Sequence, residues 1–156
     1  MDYLKKLAPV FESKSTSGIF KLQDYINKRN IVLFFYPKDN TSGCTRENID
    51  FQKYYQDFLT KNTLVFGISR DSIESHNNFI NKLNLTFPLI SDKDGVVCNL
   101  YNVIKEKKMY GKTYIGIDRT TFLINKEGFI IQEWRSVKVN NHVQDVLSFL
   151  NKINLG

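Results

Sequence analysis

At 156 residues, with 42% hydrophobic and 13% aromatic content, the chain can bury the core of a single domain, expected over residues 1–156, and no run approaches the ~20 apolar residues of a membrane span. Its formal charge of +6 comes from lysines scattered along the chain, with one cluster at Lys105, Lys107 and Lys108, which argues for a solubilising surface and against a nucleic-acid partner. Two cysteines, Cys44 and Cys98, are too few for a disulfide-stapled secreted scaffold and form no C-x-x-C pair, and residues 1–9 lack a signal peptide's apolar core, so a reducing, cytoplasmic setting is expected.

Residues 1–30 are mixed, with a turn at Thr16-Ser17-Gly18 ahead of Ile19-Phe20-Lys21-Leu22, the pattern of a hairpin or edge segment. Residues 31–36 are continuously apolar and β-prone, as in a strand covered on both faces, and Pro37 ends it. A helix over 44–59 follows, its stripe formed by Phe51, Tyr54, Tyr55 and Phe58 at helical spacing. Residues 64–68 read as a second apolar strand. Asp71-Ser72-Ile73-Glu74 resembles a capping box opening a helix through Leu83, with Ile73, His76, Ile80 and Leu83 on its inner side. Residues 87–90 read as a short strand, 91–95 as a turn, and 96–101 as a brief helix carrying Cys98.

Residues 105–116 read as a charged loop. Residues 120–124 and 129–134 flank Asn125-Lys126-Glu127-Gly128, whose turn chemistry joins them as a hairpin. The last helix, over 141–153, puts Val143, Val146, Leu147 and Leu150 on one face, with Asn141 and Gln144 as its expected cap. No repeat or linker interrupts this order. A βαβ start followed by a terminal hairpin and helix predicts an α/β, thioredoxin-like fold, a mixed central β-sheet flanked by helices.

The stretch between the strand at 31–36 and its helix carries the chemistry. Cys44 falls in the helix's first turn, where N–H groups without intrahelical partners and the positive end of the dipole favour a thiolate, the nucleophilic form. Each neighbour also has a plainer reading. A lone cysteine packs as a small hydrophobe, Thr41 can cap the helix, Pro37 can end the strand, and Glu47 suits the first turn as a negative charge. Arg119 precedes the strand at 120–124 and has a surface residue as its plainer reading, since sequence order alone does not prove that it reaches Cys44. His76 and His142 have no partner at ligand spacing and are expected to pack on helix faces, and no stretch signals a metal, flavin or nucleotide cofactor.

Pro37-x-x-x-Thr41-x-x-Cys44 is similar to the peroxiredoxin active-site pattern. Tyr36-Pro37-Lys38-Asp39-Asn40-Thr41, then Glu106-Lys107-Lys108-Met109-Tyr110-Gly111-Lys112 and Gly116-Ile117-Asp118-Arg119-Thr120-Thr121, resemble the bacterioferritin-comigratory-protein (Bcp/PrxQ) subfamily, over roughly 7–150. The resemblance implies a thiol-dependent peroxidase that reduces hydrogen peroxide and organic hydroperoxides, with Cys44 attacking one peroxide oxygen and becoming a sulfenic acid. It also implies that the Thr41 hydroxyl, the Cys44 N–H and the Arg119 guanidinium hold the two oxygens in line, that Pro37 shields the pocket and that Glu47 orients an arginine. The reductant would be thioredoxin or another thiol, and the protein a monomer. The competing class is a binding module, a holdase or redox relay, whose partner binding would survive loss of Cys44. A thioredoxin-type motif is ruled out by Glu47 three residues after Cys44.

Two departures from the subfamily pattern bear on turnover. The position five residues after Cys44, where many members carry a resolving cysteine, is Ile49, and Ser42 stands where a proline is common. Only Cys98 is left as a possible resolving thiol, and a disulfide needs Cα atoms roughly 4.4–6.8 Å apart. The expectation is a one-cysteine cycle in which an external thiol reduces the sulfenic acid and Cys98 is a packed structural residue.

Overall fold

The computed structural model describes residues 6–153. In chain order its elements are β1 (Lys6–Leu7), β2 (Glu12–Ser15), β3 (Gly18–Lys21), β4 (Asn30–Phe35), α1 (Ser42–Lys53), α2 (Tyr55–Thr60), β5 (Thr63–Ser69), α3 (Ile73–Leu83), β6 (Leu89–Ser91), α4 (Val96–Leu100), β7 (Ile104–Met109), β8 (Lys112–Ile117), β9 (Thr120–Ile124), β10 (Phe129–Trp134) and α5 (His142–Lys152). A single 3₁₀ turn, Leu22–Tyr25, follows β3.

Every position of β4 is buried. Side chains alternate across a strand, so Ile31, Leu33 and Phe35 enter one core while Val32, Phe34 and the following Tyr36 enter the other. The two cores are therefore the two faces of one sheet. Phe20, Leu22, Val97 and Tyr101 cover the first face, and Phe51, Phe58, Phe79, Val143 and Val146 cover the second. The sheet runs β1-β10-β9-β4-β5-β6-β2-β3, parallel at β4–β5 and β5–β6 and antiparallel at β4–β9, which is the mixed α/β arrangement expected.

Packing holds α1 in place beneath the sheet. Phe51 stacks on Phe34 with ring centroids 4.4 Å apart, and burying such a ring stabilises by roughly 1.5–3 kcal/mol. Close approach between neighbouring strands requires Gly67, because a Cβ there would lie 2.7 Å from Leu89 Cδ2 and 2.8 Å from Phe34 Cζ. No helix among the described residues is long and apolar enough to cross a membrane.

Several local expectations are corrected. The segment read as a charged loop over 105–116 is the β7–β8 hairpin, a two-stranded sheet separate from the main one. Both of its faces are largely exposed, so no apolar alternation marks it; Tyr110 and Gly111 make the turn with φ of 52° and 76°, the signs of a type I′ hairpin. The helix expected over 44–59 begins at Ser42 and breaks at Tyr54 (φ −102°, ψ 7°) into α1 and α2. The cap of α3 is Ser72, whose side chain accepts from Ser75 N, and Asn141 ahead of α5 is left-handed (φ 64°) with no side-chain cap bond. The strand expected over 87–90 is β6, displaced toward Ser91. The N-terminal hairpin forms as β2–β3, at the sheet edge. The part of the leader reading that falls on residues 1–5 lies outside the described residues.

Candidate active site

β4 ends at Phe35, the chain passes Pro37, and Thr41 opens α1 as its N-cap residue with extended φ and ψ. Cys44 is the third residue of that helix and is fully buried against the second core. Its backbone belongs to the helix's first turn, where free N–H groups accumulate. The Thr41 side chain does not cap: its Oγ1 donates to the Lys38 carbonyl at 2.8 Å, closing the loop on itself.

Strand register brings Arg119 to this helix. β9 pairs with β4 antiparallel, with Thr120 opposite Phe35, so the residue before Thr120 emerges beside the end of β4. There Arg119 Nη2 donates to Cys44 Sγ at 3.4 Å and Nη1 donates to Glu47 Oε1 at 2.7 Å. Glu47 stands one turn beyond Cys44 on the same helix face, completely buried. Gly43 leaves room for this approach, since a Cβ there would sit 3.1 Å from Arg119 Nη2.

Burial works against the Arg119 charge, but Glu47 and Cys44 outweigh it and hold its pKa above the ordinary arginine value. Glu47 shows the opposite balance. Burial pushes its carboxyl up to about 7, with the Arg119 charge and hydrogen bond pulling the other way. Among the described residues Glu47 Oε2 has no hydrogen-bond partner, and His142 Nε2 lies 4.0 Å from it. Burial brings His142 down to about 4, so its ring is neutral at pH 7, lying 2.7 Å from Thr121 Oγ1.

Of the six residues singled out from the sequence, the fold brings Cys44, Glu47 and Arg119 into direct contact. Pro37 and Thr41 line an adjoining open cleft of about 720 Å³, together with Arg70, Met109, Tyr114 and Ile115. Its far wall is the β7–β8 hairpin, so a segment read from the sequence as a loop shapes the approach. Lys107 of that hairpin feels the charges of both Arg119 and Cys44, although burial is the first reason its pKa falls. A second groove of similar size, about 710 Å³ between β2 and α4, contains none of the six.

Cys98 lies elsewhere. It is buried in α4 in the core on the opposite face of the sheet from Cys44. Burial first, and the neighbouring Asp92 carboxylate second, push its thiol far above the ordinary cysteine range. Ile49, five residues after Cys44, is 46% exposed.

One cluster was not legible in the sequence. Asp39, Asp71 and His76 offer ligand-type atoms within 4.8 Å of one another, although nothing in their spacing links them. His76 Nδ1 and Asp39 Oδ2 are 2.8 Å apart, a hydrogen-bond distance, whereas two ligands of one tetrahedral zinc at 2.0–2.1 Å each would stand roughly 3.3 Å apart. Hydrogen bonding accounts for the contact. The only available hint was that Asp39 belongs to the segment preceding Thr41.

Residues 4–133 match the model of the AhpC/TSA family. Peroxiredoxin Bcp of Xanthomonas campestris is 48% identical over 120 residues, covering 77% of this chain and 75% of that protein. Peroxiredoxin Bcp of Bacillus subtilis is 46% identical over 144 residues, covering 92% and 91%. Among solved structures, Xanthomonas campestris peroxiredoxin Q superposes with a TM-score of 0.89 at 40% identity, covering 97% of this chain and 98% of that one. A structure of the bacterioferritin comigratory protein of the same organism, described for its alkyl peroxide reduction, gives 0.89 at 39% identity with the same coverage.

Proposed function

The chain belongs to the AhpC/TSA family as a peroxiredoxin of the Bcp kind, a peroxidase, and from that premise we propose that Cys44 is its peroxidatic nucleophile in a one-cysteine cycle. The observation that carries the reading is the 3.4 Å contact from Arg119 Nη2 to Cys44 Sγ, with Glu47 holding the other side of the guanidinium at 2.7 Å.

In the first step the Cys44 thiolate attacks the terminal oxygen of a hydroperoxide ROOH. The S–O bond forms as the O–O bond breaks, the cysteine is oxidised to a sulfenic acid, and RO⁻ leaves and takes up a proton as ROH. Negative charge moves from sulfur to the departing oxygen, so fixed donors along that line lower the barrier. Arg119 is one such donor. The Cys44 N–H and the Thr41 hydroxyl are the others, the latter after turning from the Lys38 carbonyl. Pro37 keeps water from the oxygens, and Glu47 fixes the plane of the Arg119 fork.

An external thiol, thioredoxin or a small thiol, then attacks the sulfenic sulfur and releases water, and a second thiol frees Cys44 as a disulfide leaves. Three features support a cycle without Cys98: its place on the other face of the sheet, its burial, and a thiol pKa pushed far upward. Hydrogen peroxide and organic hydroperoxides are both substrates in this reading, and the protein works in the cytoplasm as a monomeric single domain.

Intact mass under non-reducing conditions, after one equivalent of hydrogen peroxide with a sulfenic-acid trap, tests the reading. The expected product is a trapped adduct at Cys44, absent in Cys44→Ser and unchanged in Cys98→Ser. Loss of two hydrogens, abolished by either substitution, would mean that Cys98 resolves Cys44.

A further inference from the structure

Several donors outside the sulfur's own contacts converge on one residue of the loop before α1. Asp39 is buried, and its carboxylate accepts from Tyr36 Oη at 2.6 Å and from Ser75 Oγ at 2.8 Å. His76 Nδ1 approaches the same carboxylate at 2.8 Å, and the Asp39 N–H donates to Asp71 Oδ2 at 2.9 Å. On the other side of the His76 ring, Nε2 is 2.9 Å from the Ile90 carbonyl oxygen.

A carbonyl oxygen only accepts, so Nε2 carries a hydrogen. A neutral ring with that tautomer would turn the Nδ1 lone pair toward a carboxylate oxygen. The 2.8 Å contact therefore holds a second proton between Nδ1 and Oδ2. The product is a directional hydrogen bond in a low-dielectric interior, joining α3 and β6 to the loop.

Stability is a poor reason for such a device. A buried ion pair loses much of its attraction to desolvation, and well-packed apolar residues often serve as well or better. Hydrogen bonds supply direction, which apolar packing does not. Pro37 and Thr41 stand on either side of Asp39, and between Asp39 and Thr41 the chain turns at Asn40 with φ 66°. Fixing the side chain and the N–H of Asp39 therefore fixes where the Thr41 hydroxyl and the Pro37 ring stand relative to Cys44.

We propose that His76 is a positioning residue for the peroxide reaction: its ring, hydrogen-bonded at both nitrogens, clamps Asp39 and so sets the loop that aims Thr41 and Pro37 at Cys44. This rests on the peroxidase reading of Cys44. The two fail separately: a wild-type protein inert to peroxide overturns both, and a reactive wild type with an indifferent His76 overturns this inference alone.

The test compares two second-order rate constants of Cys44, with hydrogen peroxide and with iodoacetamide. Alkylation needs a nucleophilic, accessible sulfur but no aligned oxygen donors. His76→Leu should slow peroxide oxidation by about 10- to 100-fold, the scale of a misplacement of about 1 Å, and change alkylation by less than about twofold. The double variant Asp39→Asn with His76→Leu removes the carboxylate left unpaired, so it keeps the measurement available if the single variant does not fold. It should melt cooperatively and remain slow with peroxide. His76→Asn, whose amide can donate from nearly the Nδ1 position, should recover part of the peroxide rate. A folded double variant that oxidises at the wild-type rate, or one in which both rates fall together, would overturn the proposal.

Discussion

Arg119 grips Cys44 and Glu47 with two nitrogens of one guanidinium, Nη2 at 3.4 Å from the sulfur and Nη1 at 2.7 Å from the carboxylate. Lysine is a single point charge and cannot make both contacts with the same geometry. The pair Glu47–Arg119 is thus part of how the sulfur is held, and each residue can be tested through the other.

Arg119→Ala should slow Cys44 oxidation by about 10²- to 10³-fold, the usual effect of losing one fixed donor to developing charge. Arg119→Lys should recover only a minor part. Removing the cation also leaves Glu47 buried and unpaired; its carboxyl already rises to about 7, so the cost is small below that pH, where it takes up a proton, and grows toward about 3 kcal/mol above it. Stopped-flow peroxide kinetics and urea unfolding of Arg119→Ala, alone and with Glu47→Gln, separate the two effects: Glu47→Gln should restore the stability and leave the rate low.

Glu47 predicts a pH dependence of stability with an unusual sign for a carboxylate. Its folded pKa of about 7 lies above the ordinary 4.5, so between these values the native state binds more protons than the unfolded one. The contribution is fully present below the ordinary value and is lost as pH rises to about 7, a change of roughly 3 kcal/mol at most. Urea midpoints should fall across that window in the wild type. The decline should be absent in Glu47→Gln, and a wild-type profile identical to that variant's would disprove the assignment.

Cys98→Ser should keep both the peroxide rate and turnover with thioredoxin, because the thiol is buried on the far face of the sheet. Turnover lost while the first oxidation survives would show that Cys98 takes part in the cycle. A coupled assay alongside single-turnover mass spectrometry reads both steps.

Gly67→Ala should cost about 1–3 kcal/mol through overpacking. The added methyl would meet Leu89 Cδ2 at 2.7 Å and Phe34 Cζ at 2.8 Å in the middle of the sheet. Thermal unfolding checks this, and an unchanged melting temperature would mean that the strands separate more readily than their packing implies.

The strand at 31–36 was legible because both of its faces are apolar, and the alternation of Ile31, Leu33 and Phe35 against Val32, Phe34 and Tyr36 follows from the pleat alone. Cys44 in a first helical turn was equally legible, since capping and strand termination act over a few residues. The β7–β8 hairpin is not legible in the sequence because its exposed, charged strands carry no periodic signal, and neither is the break at Tyr54, because an aromatic stripe continues through it. At α5 the expected Asn141 is the N-cap residue, but its left-handed backbone (φ 64°) comes with no side-chain cap bond, a conformation that the residue pattern does not encode.

By itself, the sequence determined the place of Cys44 in the first turn of a helix, the α/β order of elements and the lack of a thiol at Ile49, all of them properties of short segments. Tertiary structure alone decided that Arg119, 75 positions away, reaches Cys44, that Cys98 faces the opposite core, and that His76 closes on Asp39. Those contacts depend on strand order and on which face each helix covers. Both are set by burial of the whole chain, and no local pattern encodes them.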